Sequence, residues 1–148
     1  MKPILQALLL ADRIYEDKAT NKKIVAGIFH QMFYVSQGEV QKVIDSQGIL
    51  PVPAAGFQSG SPFGYLNLTE IRGEQKFTLR YVDLKENTVV FQLEFTINSP
   101  DPLQIIDLGI PLPPLPANKP GVFALELLWN DGEPLGSCRV IVTEAKLN

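Results

Sequence analysis

Between Phe77 and Ile97 two consecutive runs alternate apolar and polar residues, and no other feature constrains the fold as tightly. Phe77, Leu79 and Tyr81 alternate with Thr78, Arg80 and Val82. Val89, Phe91, Leu93, Phe95 and Ile97 alternate with Val90, Gln92, Glu94 and Thr96. A period of two belongs to a strand with one buried and one wet face. Directly opposed residues of an antiparallel pair share a face, and both inward sets carry odd numbers, so the connection must hold an odd number of residues. Lys85-Glu86-Asn87 fits as a three-residue loop, with Asn87 in the left-handed conformation that closes a bulge. Leu84 then opposes Thr88, Arg80 opposes Gln92, and Arg80 lies diagonal to Glu94 on the outer face.

A second hairpin is expected at the end of the chain. Phe123, Leu125, Leu127 and Trp129 share one face; Cys138, Val140 and Val142 form the inward set of the last strand. The change from odd to even requires an even loop, which Asp131-Gly132-Glu133-Pro134 supplies with Asp-Gly as its turn signal. Further strands are expected at about 4–14, 23–35, 64–71 and 103–112, giving seven or eight in all. Ser36-Gln37-Gly38-Glu39 matches a capping box, and Val40, Val43 and Ile44 are helically spaced, so a short helix is expected near 37–47. A Gly/Pro/Ser-rich loop follows from Pro51 to Pro62. No repeat of solenoid or propeller length is visible.

Many short strands with turn signals imply an all-β fold, a two-sheet immunoglobulin-like sandwich formed by residues 1–148 as a single domain. A closed barrel is the alternative. The long proline-rich connection Ile110-Pro111-Leu112-Pro113-Pro114-Leu115-Pro116 favours two sheets, because a Greek key needs such a crossover. Its P-x-x-P frames lack the flanking basic residue of an SH3 ligand. The stretch therefore reads as a stiff crossover whose leucines and Ile110 cap the sandwich.

Charge and cysteine usage narrow the function classes. A net charge of −3, with 13 Lys and Arg scattered along 148 residues, leaves no basic footprint, so no nucleic-acid partner is expected. No stretch approaches the length of a membrane span. Met1-Lys2 followed by Ile4–Ala11 outlines a signal peptide, but Gln6 interrupts it and the cleavage site is poor, so a buried first strand is the reading. One cysteine cannot form an internal disulfide, and a cytoplasmic location is the default.

No residue qualifies as catalytic, cofactor-binding or metal-ligating. His30 is the sole histidine, and a sheet-edge or satisfied core position explains it better than a metal or base role. Cys138 sits mid-strand as a small hydrophobe rather than a nucleophile. Acidic residues gather at Glu16/Asp17, Asp83/Glu86, Asp101/Asp107 and Asp131/Glu133, without the spacing of a calcium loop. Asn67-Leu68-Thr69 is a glycosylation sequon with no meaning unless the chain is secreted. No phosphate-cradling glycine loop, G-x-S-x-G or HExxH is present.

The ends of the chain carry a resemblance. Ala11-Asp12-Arg13-Ile14-Tyr15-Glu16-Asp17 followed by Lys23-Ile24-Val25-Ala26-Gly27-Ile28-Phe29, and Pro120–Leu128 with Asp131-Gly132-Glu133 and Leu135-Gly136, resemble the opening and closing motifs of a family of uncharacterised bacterial domains. The resemblance implies a bacterial origin and an immunoglobulin-like sandwich, and no catalytic residues. The expected function is a non-enzymatic protein-interaction or accessory module, binding a protein partner or its own copy through an edge strand or end loops. The alternative is a small-ligand or metal-binding domain using the 37–62 segment and the acidic turns.

Overall fold

The computed structural model describes residues 1–34 and 61–145, together with Gly38, Gln41 and Asp45. Apart from those three positions and Ser61-Pro62, the helix expected near 37–47 and the loop expected from Pro51 lie outside the described residues. Among the described residues the chain forms nine strands: β1 (Ile4–Glu16), β2 (Lys23–Ile28), β3 (Gln31–Tyr34), β4 (Phe63–Thr69), β5 (Gly73–Asp83), β6 (Thr88–Ser99), β7 (Ile106–Pro111), β8 (Gly121–Trp129) and β9 (Glu133–Glu144). They build two sheets, β2-β1-β4-β7 and β3-β9-β8-β5-β6. All pairs are antiparallel except β3 with β9.

Alternation decides which side chains meet between the sheets. Leu10, Leu66 and Leu68 of the first sheet face Phe77, Leu79, Tyr81, Leu125, Leu127, Val140 and Val142 of the second, and all are essentially removed from water. Each such side chain contributes roughly 1.5–3 kcal/mol relative to exposure, before the chain-ordering entropy that opposes it. Tyr81 stacks between Phe91 and Phe123, with ring centroids at 5.5 and 5.3 Å. The proline-rich segment carries the chain from β7 in one sheet to β8 in the other. Leu112 is buried at the sandwich end, and its N–H donates to the Pro62 carbonyl at 2.9 Å.

Three local expectations are corrected. The single strand expected at 23–35 is two strands in different sheets. Gly27 adopts φ +73°, where a Cβ would collide with the Asp12 carboxylate. Just beyond, the Phe29 N–H donates to the Leu10 carbonyl (3.1 Å) and the His30 carbonyl accepts from Ile141 N–H (3.0 Å). The chain thus steps between sheets at these two residues, and the strand count rises to nine.

In the β5–β6 hairpin, Arg80 opposes Gln92 as expected and Asn87 has φ 54°. Past Tyr81 the register slips by one, so Val82 faces Val89, Asp83 faces Thr88, and Val90 is the extra residue of a bulge. The loop is therefore Leu84–Asn87, and Val89 turns outward at 50% exposure. Asp83 drives the longer loop, its carboxylate accepting from the N–H groups of Lys85 and Glu86 at 3.0 and 3.1 Å. In the closing hairpin the faces are as expected but the pairing is displaced by two, with Leu125 opposite Cys138 and a bulge between Leu127 and Leu128. Asn130 at φ 53° and Gly132 at φ 115° make a tighter turn than the even loop.

Candidate interaction surface

Each sheet leaves two edges, and these differ in how their free backbone groups are guarded. β2 is six residues long, begins with Lys23 and ends beside the left-handed Gly27. β3 has four residues. β7 has six, including Gly109 and Pro111. Short length, lysine, glycine kinks and proline are the usual means of blunting an edge. β6 has none of them. It runs twelve residues, Thr-Val-Val-Phe-Gln-Leu-Glu-Phe-Thr-Ile-Asn-Ser, with Glu94 its sole charge. From Phe91 to Ser99 its ladder with β5 is uninterrupted. Among the described residues nothing pairs with its outer side.

The inward side chains of this edge are also incompletely covered. Leu93, Phe95 and Ile97 of β6 and Leu108 and Ile110 of β7 line an open apolar cleft of about 600 Å³ between the two sheet edges. Phe95 is braced from behind by Phe77, ring centroids 5.6 Å apart. Residues 100–105 join the two walls at one end and expose Leu103 and Ile105. On the outer face a shallow polar depression of about 510 Å³ is lined by Lys76, Thr78, Arg80, Gln92, Glu94 and Thr96, among others. Arg80 Nε donates to Glu126 Oε1 on β8 at 2.7 Å, so the expected diagonal partner Glu94 is not the one it takes.

The residues weighed for chemistry are dispersed. His30 is exposed at the start of β3, a sheet edge. Cys138 is half-buried in β9, and burial pushes its thiol up to about 11, which keeps it protonated and unreactive near neutrality. Leu68 of the sequon is fully buried, while Asn67 donates to Tyr65 Oη, which reaches Asp107 at 3.5 Å. Asp107 also pairs with Lys23 at 3.6 Å, bringing the tip of the β1–β2 hairpin toward β7. Asp83, Asp101 and Asp17 hold their own turns by accepting backbone N–H bonds. Among the described residues no group of three His, Cys, Asp or Glu side chains is placed to hold a metal ion. No described helix is long and apolar enough to cross a membrane.

The unguarded edge was readable in part. The β6 run stands out in the sequence as long, β-branched, aromatic and nearly uncharged. That it is an edge rather than a central strand depends on the order of strands in the sheet, which alternation does not encode. No protein-family model matches the chain, and no curated protein is similar to it.

Proposed function

We propose that this chain is a non-enzymatic protein-interaction module that captures an extended segment along β6. The observation carrying the reading is the contrast among edges: three are short or interrupted, whereas β6 offers a long regular backbone above an apolar cleft. An extended segment adding there would gain main-chain hydrogen bonds from β6 and lay alternate side chains against Leu93, Phe95 and Ile110. Two sheets joined by the β7–β8 crossover support an immunoglobulin-like connectivity. The resemblance of the chain ends supports membership of an uncharacterised bacterial family, with a cytoplasmic location the simplest setting for a lone free cysteine.

The test uses a labelled synthetic peptide with the sequence of residues 88–99 as a generic strand probe. Fluorescence anisotropy is expected to show binding to the full chain. Leu93→Lys, which places a charge in the cleft, should abolish it, and Ile24→Lys on the β2 edge should leave it unchanged. Circular dichroism and a thermal melt check that both variants fold. No binding to the wild-type chain, or equal loss in both variants, would overturn the reading.

A further inference from the structure

Among the described residues the edge of β6 and the cleft beneath it are open on the same flank, and this limits what can cover them together. A lone strand added to β6 covers one sheet edge and leaves β7 bare. A second copy approaching across a two-fold axis perpendicular to the sheet sets β6 antiparallel to its counterpart and β7 toward its counterpart at once. The two apolar clefts then face each other and merge.

Register can be worked out from the side chains. Antiparallel pairing must keep inward residues opposite inward residues, so the two-fold lies midway between one β6 residue and its own copy. Centring on Glu94 sets carboxylate directly against carboxylate and is disfavoured. Centring on Phe95 superposes the whole uninterrupted run, Phe91 to Ser99, on itself. It also falls within the Leu93–Asn98 stretch that lines the cleft. Phe95 then meets Phe95 of the partner subunit, Leu93 meets Ile97, Gln92 meets Asn98, and Glu94 meets Thr96. On the inner face apolar opposes apolar at the three central pairs, with Phe91 meeting Ser99 only at the ends of the run, and no like charges are directly opposed on the outer face. Centring on Leu93 or Gln92 instead runs the pairing into the Val90 bulge.

We infer that the segment captured by β6 is the β6 strand of a second copy of this chain, paired antiparallel about Phe95 to give one sheet continuous through both copies. This rests on the edge-capture reading above and names its occupant.

Thr96 and Glu94 are both exposed, so the register can be tested without disturbing the core. Sedimentation velocity and light scattering on the full chain should show a monomer–dimer equilibrium. Thr96→Lys sets a lysine opposite Glu94 in two symmetric pairs and should tighten the dimer roughly two- to thirtyfold. Thr96→Glu sets like charges opposite and should weaken it by a similar factor, with unchanged thermal melts for both. A chain that stays monomeric up to its solubility limit overturns the inference, as does a dimer indifferent to both substitutions. If such a monomer still binds the 88–99 peptide through Leu93, edge capture survives with a different occupant; if it does not, both readings fall.

Discussion

On the β2–β3 flank the chain steps from one sheet to the other within Phe29 and His30, and the step is held by backbone hydrogen bonds to Leu10 and Ile141. On the β6–β7 flank, among the described residues, the sheets are bridged at one end by residues 100–105 and the cleft between the edges stays open. Both flanks are built from the same alternating strands. The difference lies in where a conformational break falls: Gly27 ends β2 early and turns the chain inward, whereas β6 has no glycine or proline, carries its one bulge at Val90 near the hairpin end, and runs regularly from Phe91 to Ser99 along the edge. An unbroken β pattern is thus what leaves a surface free, and a broken one is what closes it.

The largest effect that tests this contrast is on the closed flank. Phe29 packs against the core while carrying the crossover, so Phe29→Ala should destabilise the chain by roughly 2–3 kcal/mol, below the full-burial range because the ring is only partly buried. Leu93→Ala on the open flank, where the side chain already borders solvent, should cost about 1 kcal/mol or less. Urea melts at neutral pH measure both, and a Leu93 cost equal to that of Phe29 would break the comparison.

The interior shared by the two flanks should respond to pH in a way the edge does not. Burial raises Cys138 from 9.0 to about 11, and burial first, then Cys138 and Asp83, raise Tyr81 as well. As pH climbs, the unfolded chain loses its thiol proton before the folded chain, so the unfolded state binds fewer protons and stability falls. The Cys138 contribution is fully present below pH ~9 and is lost through pH ~11, amounting to at most about 2–3 kcal/mol. Tyr81 adds in the same direction. Its hydroxyl is buried without a hydrogen-bond partner among the described residues, so no hydrogen bond offsets the preference for the neutral form that burial and the neighbouring Cys138 and Asp83 impose. Cys138→Ala should flatten the decline in urea melts between about pH 9 and 11. The β6 edge has Glu94 as its one titratable group, so association should hold until unfolding itself begins; dissociation well before loss of structure would contradict that separation.

How far these features were legible follows from what each depends on. Faces followed from alternation along β5, β8, β9 and the Phe91–Ile97 part of β6, because side-chain direction is a local property of extended backbone; Val89, beyond the bulge, is the exception. Register did not follow as far: the slips at Val90 and between Leu127 and Leu128 come from Asp83 and Asn130 choosing turns that alternation cannot see. The division of residues 23–35 had a visible cue in Gly27, but the collision with Asp12 that makes glycine necessary there exists only once β1 and β2 are paired. The open edge needed the strand order, a relation between segments far apart in sequence.

The smallest expected effect concerns the one charge β6 carries. Arg80 stands on β5 between Glu126 on β8 and the edge strand, and it pairs inward, at 2.7 Å, with both side chains about one-third exposed or less. A double-mutant cycle with Arg80→Ala and Glu126→Ala should return a coupling of roughly 0.5–1 kcal/mol, falling as salt is raised. The parallel cycle between Arg80 and Glu94 should return none that is measurable. Geometry accounts for the choice: Glu126 lies directly across from Arg80 in the β5–β8 ladder, whereas Glu94 is a diagonal neighbour and more exposed. The consequence reaches the open flank. Because Arg80 is engaged toward the centre of the sheet, the Glu94 carboxylate is left at the edge, where it forbids one self-pairing register and answers a lysine placed at Thr96. A strong Arg80–Glu94 coupling would neutralise that carboxylate and remove the charge rule that selects the Phe95-centred pairing.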